Sequence, residues 1–239
     1  MLQACLNGGR TEAEHPAVPR TPEELAADAR ASVAAGAVVL HLHPYDADGR
    51  ETFAPEPCAD ALLAVRAACP GVPVSLSTSA AIEPDPERRL ELIAGWTELP
   101  ALVTANQGEA GIVELCDHLI GRGVGIEAGL LELDDARAFV RSGIAERCVR
   151  VLMEPLDADP DAAVAHAAAM EQVVEDAGIA LDQVHHGDMV AGWAVMRRAV
   201  HRGHGIRAGL EDSTVLADGR QASGNAELVR AGAALLAAG

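Results

Sequence analysis

Two histidines separated by a single residue, His41 and His43, close the apolar run AVVLHLH. Side chains alternate between the faces of an extended strand, so both imidazoles point one way and Leu42 the other. A converging imidazole pair suits a divalent metal, but it also suits a hydrogen-bonded core, and spacing alone leaves both readings open. A third ligand is offered by GIRAGLEDS, where Glu211 and Asp212 directly follow another apolar run. Adjacent carboxylates rarely aim at one point, so one can reach a metal while its neighbour faces substrate. Two histidines, one glutamate and an open fourth position form a known catalytic zinc set. The plainer alternative makes the acidic pair a cap for the following loop through Ser213 and Thr214. Arg207, four residues before Glu211, projects from the same side and can fork onto a carboxylate of the protein or of a substrate.

Further polar groups stand at the ends of other apolar runs. SLSTSA offers the hydroxyls of Ser77 and Thr78, and VTANQG offers Thr104 and Asn106, neutral donors suited to a carbonyl or carboxylate whose charge grows during reaction. The same residue types are ordinary loop formers. Glu127 in GVGIE and Glu154 after CVRVLM are further carboxylates at such ends. His185 and His186 are consecutive, so only one of them can face inward, and a structural role for either is open.

The elements that must carry these residues alternate regularly between short β-branched or apolar runs and Ala-rich helical stretches, the pattern of βα units with parallel strands. Strands are expected at 2–6, 37–43, 73–78, 100–104, 123–127, 148–153, 181–186 and 205–210, and helices at 22–35, 58–69, 86–95, 109–121, 133–142, 160–177, 189–202 and 223–237. TPEEL supplies a helix start, with Thr21 as N-cap, Pro22 in the first turn and Glu24 closing a capping box. Gly36, Gly143, Gly178 and Gly203 mark helix ends. Eight pairs can close an α/β (β/α)8 TIM barrel, a single domain over 1–239, whose mouth lies at the C-terminal strand ends where the candidate residues fall. An open doubly wound sheet is the alternative, but no GxGxxG follows the first strand.

Composition narrows the chemistry. All 18 cationic residues among the 239 are arginines, so a Schiff-base aldolase, a pyridoxal-phosphate enzyme and a P-loop NTPase each lack the amine they require. The net charge of −18 repels a phosphate backbone and argues against nucleic acid as partner. Although 49% of residues are hydrophobic, no apolar run approaches the roughly 18 residues of a membrane span. The opening MLQACLNGGRTEAEHP has no signal-peptide pattern. Five cysteines without CxxC spacing fit neither a disulfide framework nor a thiolate zinc site, and a reducing cytoplasm is expected.

Taken in order, NGGR, HPAVPRTPEEL, GAVVLHLH with the following Asp46, SLSTS, VTANQG, GIE and GHGIRAGLEDS resemble the β-keto acid cleavage enzymes, which include 3-keto-5-aminohexanoate cleavage enzyme. The paired signatures HxH and RxGLED are the specific part. The resemblance implies a zinc-dependent barrel that reacts a β-keto acid with acetyl-CoA to give acetoacetate and a new acyl-CoA, in a homo-oligomer, a tetramer by the family pattern. It implies Zn2+ on His41, His43 and Glu211, with Asp212 as base assisted by Arg207. It also places Ser77, Thr104 and Glu127 in the substrate pocket, with Asn7 and Arg10 of NGGR beside them. Departures are specific: Arg10 stands where amine-handling members carry Glu, Tyr45 replaces the arginine of HxHxRD, Ser79 stands where glycine is common, and 148–200 matches least. A metal-dependent hydrolase on the same ligands is the alternative function, although the amidohydrolase pattern needs histidines on later strands that only His185 or His186 could supply.

Overall fold

The computed structural model describes residues 1–239. The chain forms a closed barrel in which strands β1 to β8 pair in sequence order, every neighbouring pair parallel and β1 closing against β8. The strands are β1 Leu2–Cys5, β2 Val39–Leu42, β3 Val74–Ser77, β4 Leu102–Asn106, β5 Gly125–Leu130, β6 Arg150–Met153, β7 Gln183–His185 and β8 Gly205–Ala208. The helices between and after them are α1 Pro22–Ala34, α2 Pro55–Ala68, α3 Pro86–Ala94, α4 Ile112–Gly121, α5 Leu133–Ser142, α6 Pro160–Asp176, α7 Met189–His201 and α8 Asn225–Ala238. No helix is long and apolar enough to cross a membrane.

Local chemistry sets the boundaries. The Thr21 side chain accepts from the Glu24 amide while Glu24 reaches back, completing the capping box expected from TPEEL. All four glycines read as helix ends adopt positive φ. Three elements depart from the sequence reading by more than two residues. Helix α2 begins at Pro55, because prolines are tolerated in a first turn whose amides have no intrahelical partner. Helix α4 starts only at Ile112, after Gly111 in the left-handed region. Strand β5 runs on to Leu130, its residues 128–130 in register with Ala105 and Asn106 on β4 and with Val151 to Met153 on β6.

Alternation along each strand separates two environments. Outward residues such as Ala4, Leu40, Leu42, Leu76, Val103, Ile126, Val151 and Ile206 are fully buried in the apolar layer between barrel and helices. At about 25 cal/mol per Å² of apolar surface, this layer supplies the main driving force for closure. Several inward register neighbours are polar: Gln3 beside Arg207, His41 beside Ser75, Thr104 beside Glu127, and Glu127 beside Arg150. A barrel filled with charge is costly unless every group is paired.

Candidate metal and catalytic centre

The ends of β2 and β8 bring the expected ligands together. Nε2 of His41 lies 3.6 Å, and Nε2 of His43 3.5 Å, from the same oxygen, Oε1 of Glu211. A tetrahedral zinc with ligand bonds of about 2.0–2.1 Å has edges of about 3.3 Å between ligand atoms, so these separations fit one ion. Glu211 Oε2 is buried without a hydrogen-bond partner, a further coordination position. Opposite ring nitrogens are already engaged: His43 Nδ1 rests on the Glu51 carboxylate, and His41 Nδ1 lies 3.2 Å from Ser75 Oγ and 3.4 Å from Thr104 Oγ1. The residues present therefore fit a divalent cation with a nitrogen-rich donor set.

Two close approaches seat Glu211. A Cβ on Gly209 would fall 1.9 Å from the Cys5 carbonyl, and one on Gly8, whose φ is +56°, would fall 2.4 Å from Glu211 Cγ. Only glycine permits both the left-handed backbone at position 8 and these contacts.

Burial is the largest influence on both imidazoles. At His41 it prevails over the Glu211 charge, with Arg207 and His43 adding to it, and the ring is pushed down to about 3. At His43 the carboxylates of Glu211 and Glu51 outweigh burial and raise the ring to about 9. Metal binding displaces such a proton, because only a neutral imidazole ligates.

Asp212 is 7% exposed and lies beside the ligands, joined to Glu211 through Arg207. Arg207 forks onto it, with Nη2 2.6 Å from Oδ1 and Nε 3.1 Å from Oδ2, and the Cys5 thiol donates to Oδ2 at 3.0 Å. Arg207 Nη2 also donates to Glu211 at 3.1 Å and lies 3.8 Å from Glu154. Burial opposes ionisation of Asp212, but Arg207 and then His186 overcome it and hold the carboxyl down at about 2. An ionised carboxylate thus lies beside the candidate ligand set.

The consecutive histidines divide as strand parity requires. His186 faces inward, its Nδ1 3.0 Å from Asp212 Oδ2 and its Nε2 3.5 Å from Glu154 Oε2, without hydrogen-bond alignment to either. His185 faces the helices, stacked on His204 at 4.8 Å and bonded to Gln183 at 2.9 Å. Glu154, His186 and Asp212 could also hold a cation by proximity, but Arg207 already supplies positive charge there, 2.6 Å from Asp212 and 3.8 Å from Glu154.

The remaining candidates spread over different tasks. Ser77 stays at the mouth, its Oγ accepting from the Ser79 amide at 3.2 Å. Thr78 donates to the Thr104 carbonyl at 2.8 Å and so joins two strand ends. Asn106 turns to Glu109 at 3.1 Å. Asn7 bridges the ends of β1 and β2, donating to the His43 carbonyl at 2.8 Å and accepting from the His43 amide at 2.9 Å. Glu127 is fully buried inside the barrel, below the rim. Arg10 spends its donors on the carbonyls of Leu210, Glu211 and Asp212, at 2.6, 3.1 and 3.2 Å, with Glu14 and Asp188 nearby. Tyr45 donates to the Gly8 carbonyl, and Arg20 covers its ring at 4.6 Å, so a cation does stand over this loop.

Sequence reasoning missed Glu51, Ser75, Cys5 and Arg150. Glu51 was discoverable only through the turn DADGR, which folds the chain back so that Tyr45 and Glu51 bridge antiparallel.

Known proteins give this geometry a context. The chain is 28% identical over 250 residues to the 3-keto-5-aminohexanoate cleavage enzyme of Fusobacterium nucleatum, covering 96% of this chain and 88% of that protein. Identity to the protein of the same name from Acetoanaerobium sticklandii is 33% over 103 residues, covering 43% and 38%. Among solved structures, ObcA in a ternary complex with a C4-CoA adduct and oxalate aligns with a TM-score of 0.75 at 19% identity, covering 93% of this chain. The match spans 64% of the ObcA chain, less than two thirds of its length, and at this identity shows the shared barrel. The profile of the beta-keto acid cleavage enzymes matches residues 1–238, and the chain therefore belongs to the beta-keto acid cleavage enzyme family.

Proposed function

We propose that the whole chain acts as one catalytic barrel that uses zinc to cleave a β-keto acid with acetyl-CoA, releasing acetoacetate and a new acyl-CoA. The observation that carries this reading is the convergence of His41 and His43 Nε2 on a single Glu211 oxygen, with the Arg207-held Asp212 carboxylate next to it in the chain. A zinc ion on these ligands supplies Lewis acidity to the keto oxygen of the substrate. Asp212 takes a proton from the carbon between the keto and carboxylate groups, and Arg207 stabilises the ionised form that must do so. The resulting carbanion attacks the acetyl thioester and expels CoA thiolate. Attack of that thiolate on the original keto carbon breaks the carbon–carbon bond, and Asp212 returns its proton to the departing acetoacetate carbon. No step needs a covalent lysine, consistent with a chain that has none.

The acetyl-CoA half of the reaction is supported by the family and is in keeping with the C4-CoA adduct described for ObcA. Position 10 carries a guanidinium rather than a carboxylate, which favours a β-keto acid without an amino group. A homo-oligomer is taken from the resemblance, and a reducing cytoplasm suits five free, buried cysteines.

Metal analysis tests the core of the assignment. One tightly held zinc per chain is expected in the wild type and none in His41→Ala or Glu211→Ala. Full zinc occupancy in both variants would remove the ligand set and the mechanism built on it.

A further inference from the structure

We propose that Glu127 is a positioning residue of the metal centre: acting through the Thr104 hydroxyl, it fixes the tautomer and ring orientation of His41. The inference rests on the zinc reading above, and goes beyond it by replacing a substrate contact with a role beneath the metal.

The direction of the hydrogen bonds decides the matter. Glu127 is fully buried and its carboxylate is surrounded by donors: Thr104 Oγ1 at 2.8 Å and Gln3 Nε2 at 3.3 Å on Oε2, and Arg150 Nε on Oε1. Beside the Arg150 guanidinium the group is a carboxylate, which accepts and cannot donate. The one proton of the Thr104 hydroxyl is therefore committed to Glu127, and its oxygen can only accept from His41 Nδ1, 3.4 Å away. His41 must carry its proton on Nδ1. That leaves the Nε2 lone pair free on the side of Glu211 Oε1, where a metal is to be bound.

Ser75 Oγ, 3.2 Å from the same Nδ1, does not settle the tautomer, because a serine hydroxyl can donate or accept. Glu127 breaks that tie. The chain of contacts follows strand register: His41 pairs with Ser75, Thr104 with Glu127, and Glu127 with Arg150, all on inward positions. His43 has the same arrangement in shorter form, its Nδ1 directly on Glu51. Both ligands thus lean on a carboxylate, one directly and one through a hydroxyl, the kind of outer support that metal-bound histidines need. A substrate contact for Glu127 is disfavoured because both of its oxygens are occupied and neither reaches the mouth.

Zinc dissociation constants measured by chelator competition test the assignment, with melting temperature recorded for each protein. Thr104→Val keeps the shape but removes the bridging hydroxyl, and should weaken zinc about 10- to 100-fold, the usual cost of losing an outer-shell partner. Thr104→Ser should return the constant to within a few-fold of wild type. Glu127→Gln should weaken zinc at least as much, because its amide can donate to Thr104, turn the hydroxyl toward His41 and favour the wrong tautomer. Melting temperatures near wild type in Thr104→Val or Glu127→Gln, with zinc constants within about two-fold, would overturn the proposal. Failure of the zinc reading itself looks different: the wild type would bind no zinc, or His41→Ala would bind it equally well.

Discussion

Arg207 is the keystone of the mouth, and its removal gives a prediction with a magnitude. The side chain is 2% exposed and compensates three carboxylates, those of Asp212 at 2.6 Å, Glu211 at 3.1 Å and Glu154 at 3.8 Å. Arg207→Met retains much of the volume, takes the guanidinium from all three carboxylates and leaves Glu211 with only His43 as a cationic neighbour. Losing one partner of a buried ion pair costs about 3–5 kcal/mol. For a chain of this size each kcal/mol lowers the melting temperature by about 2–4 °C, so a fall of about 6–20 °C is expected at pH 7.5 in the presence of a chelator. The deficit should shrink at pH 5.5, because burial already holds the Glu154 carboxyl above its usual range and losing a cation favours protonation further. Saturating zinc should also recover part of the loss by supplying positive charge at Glu211 and binding only the folded state. Differential scanning calorimetry at the two pH values is the assay. A melting temperature within about 3 °C of wild type at pH 7.5, or a deficit that grows on acidification, would refute the charge-balance reasoning.

Asp212→Asn should retain zinc and fold but lower turnover by about 100- to 10,000-fold, the range expected for a lost general base, as measured by steady-state kinetics; turnover within a few-fold of wild type would exclude Asp212 as the base. Turnover of 3-keto-5-aminohexanoate should fall below that of an uncharged β-keto acid of equal length, because position 10 supplies a guanidinium, tied to the 210–212 carbonyls, and no carboxylate for an amine. A clear advantage for the amino compound would reverse that preference.

How much was legible in the sequence varies with the kind of residue. The pairing of His41 with His43 on one face follows from strand alternation alone, and the RAGLED run places Glu211 at the end of another strand. The eight βα units were readable because each apolar run is short and several helices carry a start or stop signal. Depth within the barrel was not readable. Ending β5 at residue 127 makes Glu127 a rim carboxylate, whereas the strand continues to Leu130 and leaves Glu127 inside, among Gln3, Thr104 and Arg150. Three residues of strand, roughly 10 Å, separate a carboxylate at the rim from one enclosed in the barrel. Parity showed that only one of His185 and His186 could face inward, but choosing His186 required the register of β7 against β8. Arg10 was legible as a cation near the mouth, while its engagement with three carbonyls depends on a loop fold that no periodicity encodes.

The most direct test follows the acetyl group. Zinc-loaded protein is incubated with a panel of β-keto acids and acetyl-CoA carrying carbon-13 in its acetyl group, and products are identified by mass. The account predicts that the label appears in acetoacetate and that an unlabelled acyl-CoA, built from the acid's own chain, accumulates in equal amount only when zinc and acetyl-CoA are both present. Cleavage that proceeds equally without acetyl-CoA, or acetoacetate that carries no label, would contradict it and point to metal-assisted hydrolysis at the same ligands.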